Sequence, residues 1–157
     1  MPKVNLDAID RKLLRYLLGN ARMPFLEIAR ECGISGAAIH QRMRKLDEMG
    51  VILGSRLVVD PQVIGFDVCA HINIAITSAE LLQQIVEELK KIPEIVECHF
   101  ITGKGNLLAK VYCVDNEHLM RTIFDHILSI KGVSDTETSI SLREAFSRQV
   151  NIDFLEE

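Results

Sequence analysis

Between Asp67 and Leu142 the apolar residues switch repeatedly between a two-residue and a helical period, and that order constrains the fold more than any other feature. Residues 67–76 alternate as a strand does. Val68, Ala70, Ile72, Ile74 and Ile76 fall on one side, and Cys69, His71, Asn73 and Ala75 on the other. Leu82, Ile85, Val86, Leu89 and Ile92 then repeat at helical spacing over 79–92, with Ser78 as the cap and Pro93 just past the end. Strands are predicted over 95–101 and 106–114, joined by the turn Thr102-Gly103-Lys104-Gly105. Leu119, Ile123, Ile127 and Ile130 mark a helix over 116–130 that stops at Gly132, and a last strand spans 133–142. This βαββαβ order is the ferredoxin-like arrangement, with both helices on one face of an antiparallel sheet. The opposite face, apolar in part, must be covered by something else. A second copy of the chain would do so, and at least a homodimer is expected.

The first third has a different grammar. Asn5 or Asp7 can cap a helix running to about Leu18, with Ile9, Leu13, Leu14, Leu17 and Leu18 as its apolar stripe. Pro24 suits the first turn of a second, short helix that Cys32-Gly33 breaks. Ser35 caps a third helix from Gly36 to about Met49, stopped by Gly50. A short helix, a tight glycine-containing turn and a second capped helix make a helix-turn-helix. Residues 51–59 then read as two short strands bent at Gly54-Ser55, a small wing. The expected architecture is therefore α+β. A winged helix-turn-helix domain covers 1–60, a linker 61–66, and a ferredoxin-like regulatory and oligomerisation domain 67–157.

Charge follows the same division. Residues 1–60 carry a net charge of plus three and residues 61–157 minus seven, so a basic head stands on an acidic body. On the third helix Ile39, Met43 and Leu46 share the buried side. Ala37, Gln41, Arg44 and Glu48 lie opposite, with His40 and Lys45 flanking. Small residues at Gly36 and Ala37 let the capped end behind Ser35 approach base edges. Gln41 matches adenine, and Arg44 and Lys45 match phosphate or guanine. Arg42 lies near the buried side, where it either braces the fold or reaches a flanking phosphate. Arg56, on the wing, would project near a DNA backbone.

Several classes are set aside. A composition of 48% hydrophobic and 25% charged residues is too apolar for a disordered chain. No apolar run reaches transmembrane length, so no membrane partner is expected, and Met1–Asp7 lacks a signal-peptide core. Cys32, Cys69, Cys98 and Cys113 are widely separated, which fits buried thiols in a reducing cytoplasm. His40, His71, His99, His118 and His126 show no metal-ligand spacing, and no nucleophile, phosphate-loop or dinucleotide motif is present. No catalytic residue, metal or cofactor is expected. The segment Thr102, Gly103, Gly105, Asn106 reads either as an ordinary turn or as a pocket wall. Thr136 and Thr138, on one side of the last strand, could line the same pocket, with Glu137 facing away.

In combination these motifs resemble the Lrp/AsnC family, the leucine- and asparagine-responsive transcription regulators. The resemblance rests on Leu6-Asp7-x-x-Asp10, Asn20-Ala21-Arg22, Ile28-Ala29, Gly33-Ile34-Ser35, Arg42, Gly50-Val51-Ile52, Gly65, Thr102-Gly103 and Thr136-x-Thr138. Asn106 stands where the family often has an acidic residue, and Pro24 where it has a small hydroxyl-bearing one. The resemblance implies a DNA-binding transcription regulator that forms dimers and commonly octamers. It implies a small amino acid bound between regulatory domains, and a nucleoid-associated cytoplasmic location. Ile39-His40-x-Arg42, Gly54-Ser55-Arg56 and Gly65-Phe66-Asp67-Val68 look closer to the asparagine-responsive branch, so asparagine is the first choice of effector. The alternative is a ligand-independent architectural DNA binder whose second domain serves assembly alone.

Overall fold

Side chains at the helix starts fix where the N-terminal elements begin. Asp7 opens helix α1 (Ala8–Gly19) through a reciprocal capping box. Its carboxylate accepts from the Asp10 amide at 2.8 Å, and Asp10 Oδ2 accepts from the Asp7 amide at 3.3 Å. Helix α2 (Phe25–Cys32) follows Pro24, which sits at the cap position itself, and ends at Gly33 with φ +67°. That left-handed conformation favours glycine. Ser35 caps α3 (Gly36–Glu48), its hydroxyl accepting from the Ala38 amide at 3.2 Å.

The computed structural model describes residues 4–103 and 105–152. Of these, 4–58 and 146–152 form one unit and 59–145 the other. Lys104 of the predicted turn lies outside the described residues. In the helical unit Leu13, Ile28, Ile39 and Leu46 are fully buried. Ile152 joins them at 8% exposure. The sequence reading grouped every residue after 66 with the second domain. Three short helices leave apolar edges uncovered, and Ile152 covers one of them.

The predicted wing strands are corrected. Residues 51–59 form no ladder among the described residues, and Leu53 is 95% exposed. The β propensity of Val51–Val59 is real, but a lone two-stranded ribbon without a packing surface is marginal.

The second unit runs β1 (Val68–Ile76), a single 3₁₀ turn over Ala79–Leu81, α4 (Leu82–Leu89), β2 (Ile95–Phe100) and β3 (Leu107–Cys113). It continues with α5 (Asn116–Arg121), extended by a wider π-helical stretch over Thr122–Ile127, and closes with β4 (Val133–Ser141). The sheet order is β2-β3-β1-β4 with antiparallel pairings, as the ferredoxin-like reading requires. Ala70, Ile72 and Ile74 of β1 and Leu107, Ala109 and Val111 of β3 are buried with Ile85, Leu89 and Ile127 of the helices. Cys69, His71, Asn73 and Ala75 lie half-buried on the other face, beside Leu108, Lys110 and Tyr112. Gly132 closes the turn into β4 at φ +100°, and its carbonyl accepts from the Thr77 amide at 2.8 Å.

Two predictions follow from these local features. A Cβ on Gly132 would lie 2.7 Å from Leu81 Cδ1 and 3.1 Å from Ile85 Cδ1 in a left-handed backbone. Gly132→Ala should therefore destabilise the second unit by about 1–3 kcal/mol in urea unfolding. Gly19→Ala, with nothing within 4 Å, is the matched control. Separately, the Asp10 amide and the Arg42 guanidinium outweigh burial and hold the Asp7 carboxyl below its usual value of 3.8. A lowered folded-state value stabilises above the usual aspartate range, and the contribution is lost as pH falls through the lowered value. Thermal melts of the helical unit should show this acid loss, and Asp7→Asn, which keeps a capping oxygen, should flatten part of it.

Candidate nucleic-acid interface and effector site

The capped start of α3 sets which side of that helix meets solvent. Ile39 and Leu46 point into the core, and Met43 is half-buried. Ala37, His40, Gln41, Arg44 and Lys45 are exposed, as are Ser35 before the helix and Arg56 beyond it, while Gly36 is half-buried. The exposed face thus combines a small residue, an amide and two cations, which suits base edges flanked by phosphates. His40 is less free than its exposure suggests. Its ring packs edge-on against Phe25, with centroids 4.9 Å apart and planes at 75°. Arg56 lies in the extended segment without a wing to orient it.

Arg42 braces the fold, the first of its two readings. Its Nη1 lies 2.6 Å from Asp7 Oδ2 and 2.6 Å from Asp10 Oδ1. Both carboxylates push the guanidinium pKa further up. The clamp joins α3 to the first turn of α1. Asp10 is 2% exposed, and Arg42 pairs with it there. Sequence reasoning singled out Leu6-Asp7-x-x-Asp10 only as a motif. The three-residue acidic spacing was the available signal, but its partner 32 residues on was not visible in it.

In the second unit the hairpin turn places Asn106 beside the end of β1. The Asn106 amide donates to the Ile74 carbonyl at 3.0 Å, and Asn106 Oδ1 accepts from the Ile76 amide at 3.1 Å. Asn106 therefore prolongs the β3–β1 pairing with its own side chain. Gly103 and Gly105 both have positive φ, +99° and +79°, so the turn serves chain reversal. Thr136 pairs with Ile74 from the other flank of β1, and Thr138 pairs with Ile72. Asn106 and Thr136 thus meet the same end of β1 from its two sides, with Thr138 one pair further along. By register both threonines share the face of Ile72 and Ile74, and Glu137 lies on the opposite one with Asn73.

One polar pair went unnoticed in the sequence. His118 Nδ1 accepts from the Val114 amide at 3.3 Å, so Nε2 carries the proton toward Glu94 Oε1 at 2.8 Å. Burial opposes the Glu94 charge, but a backbone amide and His118 outweigh it and lower its pKa. The pair ties the start of α5 to the loop before β2 and is structural. Among the described residues no group of three or more His, Cys, Asp and Glu is placed to hold a metal ion, and no helix is long and apolar enough to cross a membrane.

Comparison with known proteins agrees with this geometry. Residues 6–52 match the family described as winged helix-turn-helix DNA-binding, and residues 67–150 the Lrp/AsnC ligand binding domain. The chain is 32% identical over 146 residues to the regulatory protein AsnC of Haemophilus influenzae, covering 93% of this chain and 97% of that one. It is similar to the solved structure of Escherichia coli AsnC with a TM-score of 0.87 at 32% identity, over 94% of this chain and 99% of that one. It is also similar to the feast or famine regulatory protein of Mycobacterium tuberculosis complexed with L-methionine. There the TM-score is 0.87 at 26% identity, over 94% and 99% of the two chains. With a helix-turn-helix in one unit and the βαββαβ ligand-binding fold in the other, the chain belongs to the Lrp/AsnC family of sequence-selective DNA-binding transcription regulators.

Proposed function

We propose that this regulator reads duplex DNA with the outer face of α3 and is tuned by a small amino acid held in its second unit. The separation of faces on α3 carries the DNA reading, with Ile39 and Leu46 in the core and Gln41, Arg44 and Lys45 outside. Ser35, Gly36 and Ala37 admit the helix end to the groove. Gln41 pairs with adenine, and Arg44 and Lys45 engage phosphate or guanine, with His40 and Arg56 at the flanks.

The effector reading rests on the ligand-binding-domain match and on the polar groups at one end of β1. A zwitterion needs acceptors for its ammonium and donors for its carboxylate. Thr102, Gly103, Gly105 and Asn106 offer backbone and side-chain groups of both kinds, and Thr136 and Thr138 add hydroxyls. Asparagine is the first choice, in keeping with the AsnC relatives. The methionine held by the M. tuberculosis relative makes a second candidate. The half-buried open face of the sheet supports pairing of two copies, and dimers would build toward an octamer on the nucleoid in the cytoplasm. Effector occupancy acts on DNA binding only if assembled states differ in ligand affinity.

Fluorescence titration with duplex DNA at several salt concentrations tests the first part. An Arg44→Ala, Lys45→Ala double variant should weaken binding to every sequence and lower the salt slope by about 0.9 per lost phosphate contact. Gln41→Ala should cost roughly 1–3 kcal/mol at one base position alone. Equal affinity of the folded double variant and wild type would remove the α3 face from consideration. Calorimetry with asparagine and methionine on the full chain tests the second part. Thr136→Ala, at a side chain that forms no hydrogen bond among the described residues, should weaken binding, whereas heat for no amino acid would favour the ligand-independent architectural reading.

A further inference from the structure

We infer that Arg42 is a positioning residue for base reading. Clamped by Asp7 and Asp10, it sets the roll of α3 and hence which bases Gln41 meets, without touching DNA itself. The inference rests on the DNA reading above and extends it to a residue outside the contact face.

Three observations carry it. First, α3 packs chiefly on α2, and α2 on α1. The apolar contacts of Ile39 and Leu46 hold α3 in place but have no direction, so they resist separation better than rotation. The Arg42 clamp is directional, with one nitrogen 2.6 Å from each of two carboxylates on α1. Second, α1 is itself pinned where the clamp attaches. Asp7 and Asp10 are the two halves of its capping box, so each acid serves the helix start with one oxygen and Arg42 with the other. Third, the clamp borders the reading face. Asp7, Ala38, Gln41, Arg42 and Lys45 line one concavity of about 300 Å³. Gln41 is the residue directly before Arg42.

The leverage is large enough to matter. A roll of about 20° moves atoms at the helix's outer radius of about 5–6 Å by about 2 Å. That displacement exceeds the tolerance of a hydrogen bond to a base edge. Contacts to phosphate by the long, flexible Arg44 and Lys45 survive it far better. Loosening the clamp should therefore cost sequence selectivity and leave general DNA affinity in place.

Charge makes the test decisive. Arg42→Met removes a positive charge, and Asp10→Asn removes a negative one. The asparagine cannot replace Asp10, because its NH2 is a donor and would stand where one of the two carboxylate oxygens now accepts, from either the Asp7 amide or Arg42. Any effect exerted through the field of these charges on DNA must have opposite sign in the two variants. An effect exerted through the clamp has the same sign in both.

The full-length chain is used to select a preferred duplex from a randomised library. Affinities for that duplex and for a shuffled one are then measured at several salt concentrations, well below the melting temperature of each variant. Both Arg42→Met and Asp10→Asn should lower the ratio of selected to shuffled affinity by at least about tenfold, with shuffled-duplex affinity and salt slope unchanged. Arg42→Lys, which keeps the charge but carries it on a shorter side chain that no longer reaches both carboxylates as closely, should give a smaller loss in the same direction. It carries the test alone if Arg42→Met fails to fold. A salt slope reduced by about one in Arg42→Met, with Asp10→Asn neutral or tighter, would show a phosphate contact and overturn the inference. An unchanged ratio in folded variants would reduce the clamp to mere stabilisation and overturn it equally. Enrichment of no duplex would instead overturn base reading as a whole.

Discussion

One-sided burial of the central strands governs the second unit. β1 and β3 send Ala70, Ile72, Ile74, Leu107, Ala109 and Val111 under the helices, and the strand period then commits His71, Asn73, Lys110 and Tyr112 to the opposite face. The helices cannot reach that side. A sheet so divided has one face that is finished within the chain and one that is not, so assembly is written into the same alternation that builds the core. The pairing register has a second effect. It sets Thr136 against Ile74 and brings Asn106 to the other flank of the same strand end, so polar groups gather where the sheet's apolar core stops.

The helical unit is held by a different balance. Its core is small, and directional bonds do what packing area cannot. The Asp7–Asp10 box, the Ser35 cap and the Arg42 clamp all act at the ends or flanks of helices, where backbone groups lack partners. Their common effect is to fix orientation. An acidic pair next to the face proposed to read DNA looks ill-placed until Arg42 is counted. The clamp then leaves a single net negative charge there, against Arg44 and Lys45 outside.

Much of this was legible in the sequence because periodicity and caps are local. The strands, helices and their order followed from apolar spacing, and Asp7, Ser35, Gly33 and Gly132 marked ends through chemistry that acts within a few residues. The same locality explains the failures. Val51–Val59 has strand composition, but strands need partners, and none pairs with it among the described residues. The helix expected over 79–92 is shorter because Ser78 closes a tight turn onto the Glu80 amide. The widening after Arg121, where the Leu128 amide reaches the Ile123 carbonyl, has no sequence signature. At the sites, exposure on α3 followed from the helical period. The employment of Asn106 by Ile76 and of Arg42 by Asp7 and Asp10 did not, since each joins residues about 30 or more apart.

The burial of Ile152 among the N-terminal helices has a consequence for how the protein is made. The chain writes most of the DNA-binding unit first, then the whole regulatory unit, and only then the residue that completes the first core. Synthesis proceeds from the N-terminus, and domains fold as they emerge. A nascent chain therefore exposes an unfinished helical head until Ile152 has left the ribosome, by which time the whole second unit has been made.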